Sequence, residues 1–210
     1  MKRRKTQEGI RKDLNEDVIR EVLADRYLSF TIERLNIHED LINKETSITG
    51  CLIVTNFEDK IINYDLNGSG KGLCDVLFNC AISKLVDDCH SLSSLRLTEF
   101  SVDVDKADLK KVRSGGVGAD VHASASITII NGNGVLLPFR SRNQSMIAAS
   151  IDVVCKTIEF FVNSERAVLR LKQLLKDAKK RNRGDLYNQY TLKLTDLVFN
   201  TTYAESMREK

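Results

Sequence analysis

The densest run of chemistry-bearing residues is Gly68-Ser69-Gly70-Lys71-Gly72. A glycine-rich run that leads into a helix can cradle an anion with its backbone N–H groups. A mononucleotide loop of the G-x-x-x-x-G-K-[ST] kind needs four residues between its glycines and a hydroxyl after the lysine. Here Gly68 lies only two residues before the Gly70-Lys71 pair, and Gly72 stands where the magnesium-binding hydroxyl belongs. A dinucleotide fingerprint needs G-x-G-x-x-G inside a parallel β-α-β unit, whereas this chain offers G-x-G-x-G after a hairpin pattern. A nucleotide-binding protein acting through Gly68–Gly72 is therefore kept as an alternative. The general expectation is an anion at this helix start, including the carboxylate of an amino acid.

Other reactive side chains do not assemble into a site. Cys74 and Cys80 lie six apart on a helical pattern and diverge, and Cys89-His90 stands alone. His38 follows a strand pattern and His122 lies within one; neither has a Ser, Cys or carboxylate at a recognisable spacing. These are read as buried apolar thiols and isolated histidines. No G-x-S-x-G or H-E-x-x-H motif occurs, so no catalytic residue, metal or cofactor is expected.

The chain has 210 residues, 42% apolar and 29% charged, with one Pro and eleven Gly. That is a globular composition with enough length for a core. A (β/α)8 barrel, at about 250 residues, does not fit. No apolar run approaches the roughly 20 residues of a membrane span, and no apolar stretch follows the basic opening Met1-Lys2-Arg3-Arg4-Lys5 as in a secretory signal. Five scattered cysteines without a C-x-x-C pair point to a reduced, cytoplasmic protein.

Charge is uneven. The net charge is +3, yet residues 1–20 carry +3 and residues 164–184 carry +6, so the remainder is −6. Beneath the second basic cluster Val168, Leu171, Leu175 and Ala178 recur at helical spacing, which reads as a solvated helix face. No aromatic residue interleaves those charges to stack on bases, so nucleic acid is not the expected partner.

Three segments follow from the patterning. Residues 1–27 form a charged helical lead-in. Residues 28–163 form the main domain, and residues 164–210 a C-terminal helical extension with a break at Asn182-Arg183-Gly184-Asp185. Within the main domain, residues 28–37, 47–56 and 60–66 alternate as strands, with a turn at Asn56-Phe57-Glu58-Asp59. A glycine connection and a helix from Leu73 to Leu85 follow. The order then recurs. Residues 95–104, 119–130 and 135–139 alternate as strands, Asn131-Gly132-Asn133-Gly134 is a hairpin signal, and residues 145–162 are helical. Residues 105–118, ending Ser114-Gly115-Gly116-Val117-Gly118, read as a mobile loop. The predicted fold class is α+β: a tandem βββα–βββα repeat of antiparallel sheets with one wet face, plus extra N- and C-terminal helices.

Several segments, in order, resemble the C-terminal allosteric domain of 2-isopropylmalate synthase, which citramalate synthase shares. Gly68-Ser-Gly-Lys-Gly-Leu-Cys-Asp75 through Ala81-Ile82 is similar to that family's G-x-G-x-G-P-x-D-A-x-x-x-A-I. Leu97-Thr98-Glu99-Phe100-Ser101-Val102 resembles its L-x-D-Y-x-V, Gly118-Ala-Asp120-Val121 its G-x-D-A, and Ile147-Ala148-Ala149-Ser150 the I-x-E-A-S of its last helix. The resemblance spans residues 28–163. It departs at Leu73 (Pro in the family), at Phe100 (Tyr) and at Val121 (Ala), and Phe139-Arg140-Ser141 replaces a G-x-G before the last helix.

The resemblance implies two βββα units per chain and a homodimer that binds leucine or isoleucine near its interface. Helix starts would hold the carboxylate, and apolar side chains the branched tail, whose burial is worth about 3 kcal/mol. By position the implied ligand-binding residues are Gly70, Gly72, Leu73, Cys74, Phe100, Val121, Ser145 and Met146. The family's catalytic barrel, with its H-x-H and G-x-R-D-G-x-Q-x motifs, has no counterpart in this sequence. The chain is therefore expected to be a non-catalytic regulatory domain of branched-chain amino acid biosynthesis. If a fragment, it is the regulatory part of a 2-isopropylmalate synthase-type acyltransferase, and a barrel-type synthase is a candidate partner. Met1 and the basic opening point to a freestanding protein. The alternative from another class is a structural or interaction protein on the same fold, with a degenerate ligand site and residues 164–184 docking a partner.

Overall fold

A computed structural model of the chain describes residues 7–56, 60–104 and 122–200. Helix α1 (Gln7–Leu23) and a 3-10 turn (Ala24–Arg26) lead into strands β1 (Ser29–Asp40), β2 (Glu45–Thr55) and β3 (Ile61–Gly70), then helix α2 (Leu73–Leu85). A second 3-10 turn (His90–Ser94) precedes β4 (Arg96–Val104), β5 (Ala123–Ile130) and β6 (Leu136–Asn143), followed by α3 (Met146–Lys180) and α4 (Gly184–Asn200). Among the described residues the fold is α+β, with two three-stranded antiparallel sheets, β1-β2-β3 and β4-β5-β6, and four α-helices.

The duplication extends to irregularities. In each unit the first strand bulges against the second, between Ile32 and Leu35 in β1 and between Leu97 and Glu99 in β4. Opposite the first bulge sits Gly50, where a Cβ would lie 2.7 Å from the Arg34 carbonyl oxygen. The turn expected at Asn131–Gly134 forms with local side-chain help. Asn131 Oδ1 accepts from the N–H groups of Asn133 and Val135, at 3.0 and 2.9 Å, and Gly134 supplies φ +75°. Residues 57–59 of the turn expected at 56–59 lie outside the described residues; on either side of them Lys60 N donates to Asn56 Oδ1 at 2.9 Å. At the β1–β2 turn Asp40 Oδ1 accepts from Asn43 N and Ile42 N, and those bonds hold its carboxyl below the usual carboxylate range.

Alternation in β2 sends Ile48, Leu52 and Val54 to the buried face, where α2 lies across β2 and β3. Leu77 and Phe78 of α2 are fully buried there, each worth about 1.5–3 kcal/mol. The glycine run expected as a connection is mostly strand: Gly68 pairs with Ile48 and Gly70 with Thr46. Small residues are required because α2 sits on them; a Cβ at Gly68 would meet Cys80 Sγ at 2.9 Å, and one at Gly70 would meet Val76 Cγ2 at 3.1 Å. Likewise β6 continues past Phe139 to Asn143. The expected strand residues 119–121 and the loop 105–118 lie outside the described residues.

Helix α3 is one element of 35 residues, and the expected boundary between residues 163 and 164 falls in its middle. The basic composition after Ser164 changes only the exposed side. The buried side continues unbroken through Ile158, Phe161, Ala167, Val168 and Leu171, with no Gly or Pro to stop the helix. Its first part covers β5 and β6 and also reaches β1. Phe139 of β6 packs against Phe160 and Phe161, with ring centroids 5.5 and 5.9 Å apart. The break expected at residues 182–185 forms at Asn182-Arg183, with Asn182 at φ +54°, while Gly184-Asp185 already open α4. Helices α1 and α4 pack on α3, and Lys193 of α4 reaches Glu21 of α1 at 2.6 Å. No described helix is long and apolar enough to cross a membrane.

Candidate functional site

The structure brings the starts of the two repeat helices together. Cys74, in the first turn of α2, is buried with its thiol against the Ser150 hydroxyl of α3. That hydroxyl donates to the Met146 carbonyl oxygen at 2.8 Å. Burial pushes the Cys74 thiol up to about 11, partly offset by Ser150. Ser145 caps α3, its Oγ accepting from Ala148 N at 3.4 Å. Leu73 is half-buried, packed against the core, whereas Met146 is 62% exposed.

The two helix starts differ electrostatically. At α2, Gly72 takes φ +83°, open only to glycine, and its N–H donates to Thr46 Oγ1 at 3.1 Å. Thr46 in turn donates to the Glu39 carboxylate at 3.0 Å, and Asp75 sits in the first helical turn. Two acids thus already complement that end of the dipole. The start of α3 has no acid in its first turn.

The remaining candidates separate. Gly70 belongs to the β3 ladder beneath Val76. Phe100 is not at the helix starts: its neighbours across the sheet are Ile127 and then Phe139, which stacks on Phe160, about four turns along α3 from Met146. It is 46% exposed on the inward side of edge strand β4, beside Val102 and Val104. Val121 lies outside the described residues. The phosphate-loop geometry is likewise missing, because Gly68 and Gly70 are engaged in strand pairing and only Lys71 and Gly72 connect β3 to α2. Among the described residues no three His, Cys, Asp or Glu side chains converge on a metal-sized site.

Among the described residues, two of the pockets elsewhere are lined by an acid of α3. One, of about 280 Å³, opens between α1, β6 and α3 and is lined by Arg20, Tyr27, Arg140, Lys156 and Glu159. There the Tyr27 hydroxyl donates to Glu159 Oε1 at 2.7 Å while the Arg20 guanidinium lies 4.2 Å from the Tyr27 ring centroid. Burial and the Glu159 carboxylate push the Tyr27 phenol well above its ordinary value. The other, of about 310 Å³, lies where the end of α2 and the middle of α3 meet the first sheet, with Glu165 in its wall. Glu165 is buried, and its Oε2 accepts from Cys89 Sγ at 2.8 Å and from Ser91 N at 3.0 Å. The sequence carried a signal for both. Glu159 and Glu165 interrupt the apolar side of α3, and an acid on a buried stripe needs a partner.

Fold and site together define an α+β protein built from two βββα units, with the helix that closes each unit abutting the other at its start. No model of a known protein family matches the chain, and no curated protein matches it.

Proposed function

We propose that the chain is a non-catalytic regulatory domain that binds a branched-chain amino acid and acts as a homodimer, on the architecture of the C-terminal allosteric domain of 2-isopropylmalate synthase. The observation that carries this reading is the junction of the two helix starts, where Cys74 of one unit meets Ser150 of the other. Met146 and Ile147 beside that junction are 62% and 51% exposed in the single chain, and a second copy seated there removes them from water. The start of α3, free of acids, is the end that takes the ligand carboxylate. Leu73 and Met146 flank the branched tail. The regulated enzyme in this reading is a barrel-type synthase.

One observation favours a second reading. The Glu39–Thr46–Gly72 chain already satisfies the start of α2, so half of the duplicated site has no need of a ligand. On that reading the fold is an interaction module with a degenerate pocket.

Sedimentation velocity combined with calorimetry against leucine, isoleucine and valine separates the two. A dimer that binds one of them, gaining about 2.7 kcal/mol of stability at 100-fold excess over Kd, is the expected result. A dimer indifferent to all three supports the interaction module. A monomer that binds none removes the first reading. Met146→Glu, placing a charge in the covered surface, is expected to dissociate the dimer.

A further inference from the structure

The 310 Å³ pocket lies at the far end of α2 from the helix-start junction, about 20 Å away along a helix of 13 residues. Its volume is at the lower end of the range that small-molecule sites occupy. Phe30, Val54 and Val162, all nearly inaccessible, form an apolar floor, while Ile62 and Leu169 stand exposed at the rim. That is an apolar slot whose mouth is left unfilled by this chain's own described side chains.

Its polar end is unbalanced. Asp88 and Glu165 contribute two carboxylates against one guanidinium, that of Arg166, whose Nη2 donates to the Arg26 carbonyl oxygen at 3.1 Å. Glu165 is only 4% exposed. Its Oε2 takes both of the hydrogen bonds described above, and Oε1 has no hydrogen-bond partner among the described residues. That oxygen is open to the pocket and not sealed in the core, and once a ligand covers it, a donor carrying positive charge is the partner that best offsets its desolvation. At the mouth, exposed Asp88 interacts with the Tyr64 hydroxyl and adds a second negative charge.

We infer that this pocket is a second small-molecule site, for a compact aliphatic molecule carrying an ammonium group. The ammonium donates to Glu165 Oε1 with Asp88 as its second acceptor, and the aliphatic part fills the slot over Phe30 and Val54 and covers Ile62 and Leu169. An ammonium has three donors, enough for acceptors on both carboxylates that line this pocket. The inference stands on this pocket alone and does not depend on the reading of the helix starts. Two sources share the chemistry, a simple alkylamine and an aliphatic amino acid; in the second, Arg166 supplies the partner for the ligand carboxylate.

The test is calorimetric titration of the full chain with 3-methylbutylamine, leucine and 3-methylbutanoate. The amine or leucine is expected to bind one per chain, with 3-methylbutanoate at least tenfold weaker. Glu165→Gln, which keeps an oxygen for Cys89 and Ser91 to donate to, is expected to weaken binding tenfold or more. Asp88→Asn, at an exposed position that leaves the core untouched, is expected to weaken it severalfold. Leucine binding more tightly than the amine assigns the site to an amino acid, and the reverse order assigns it to a simple amine. The proposal is overturned if neither ligand binds, if 3-methylbutanoate binds as well as the amine, or if both variants leave affinity unchanged. Leucine binding that survives both variants but is lost in Met146→Glu belongs to the helix starts and also overturns it.

Discussion

Asn163, fully buried on α3, pairs with the backbone of Leu28 at the entrance to β1 as a neighbouring strand would: Leu28 N donates to Asn163 Oδ1 at 3.0 Å, and Asn163 Nδ2 donates to the Leu28 carbonyl oxygen at 2.8 Å. One helical turn away, Glu159 Oε2 accepts from Phe30 N at 3.1 Å. β1 is an edge strand, and edges left with unpaired backbone groups invite pairing with other chains. Here two side chains of a helix supply the missing ladder. Asn163→Leu keeps most of the volume but abandons both Leu28 groups, each costing about 1–2 kcal/mol. The expected loss is roughly 2–4 kcal/mol in urea denaturation, with faster amide exchange at Leu28 and Phe30. A loss below 1 kcal/mol would mean that water replaces the side chain without penalty.

The glycines of β3 give a second prediction. Adding a methyl at Gly68 forces it against Cys80 Sγ at 2.9 Å, so Gly68→Ala is expected to destabilise by about 1–3 kcal/mol through overpacking. Shortening the opposing side chain in Gly68→Ala/Cys80→Ala should return a good part of that loss, although Cys80→Ala alone destabilises. A positive coupling of at least 0.5 kcal/mol in the double-mutant cycle is the readout. Additive losses would show that the helix does not press on the strand there.

Exposure of the thiols predicts their reactivity. All five cysteines are free of disulfides; Cys74, Cys80, Cys89 and Cys155 are buried, and Cys51 is half-exposed on the outward face of β2. Burial and the adjacent Glu165 carboxylate push the Cys89 thiol far above its ordinary value, which removes the reactive thiolate. A disulfide reagent at pH 8 is expected to titrate one thiol quickly in the native protein and five in denaturant. Cys51→Ser should abolish the quick phase. If it persists, one of the buried positions opens faster than its packing implies.

Much of this architecture was legible in the residues. Alternation in residues 47–56 and 123–130, and the Asn131–Gly134 turn, specify strands and a hairpin by local chemistry alone. The glycines at 68 and 70 escaped because a residue without a side chain carries no alternation; only the helix packed above them shows why they are strand. The length of α3 escaped for a different reason. The change to basic residues after Ser164 is a change of its wet face, and composition counts both faces together. For the site, alternation does give Phe100, Val102 and Val104 one face of β4, but whether a helix covers that face is a matter of tertiary placement. Cys74 and Ser150 meet only because two units fold against each other. The Glu165 pocket draws on β1, β2, β3, α2 and α3, so no sequence window contains it.

Alkaline stability tests the thiol environments directly. Burial, reinforced by the Asp152 and Glu159 carboxylates, pushes the Cys155 thiol up to about 12, and burial takes Cys74 to about 11. An unfolded thiol loses its proton near pH 8.5. Above that pH the unfolded chain binds fewer protons than the native one, so stability is fully present below about pH 8.5 and falls as pH rises toward the folded values. For a thiol as enclosed as Cys155 the slope approaches about 1.4 kcal/mol per pH unit; Cys74, less enclosed, adds less. Denaturation midpoints at pH 8, 9, 10 and 10.5 should therefore fall progressively in the wild type and less steeply in Cys155→Ala. The alanine variant starts lower because it leaves a small cavity, so the slope and not the starting value decides. Parallel curves for the two proteins would show that Cys155 ionises as readily in the folded chain as in the unfolded one, which its burial beside two carboxylates forbids.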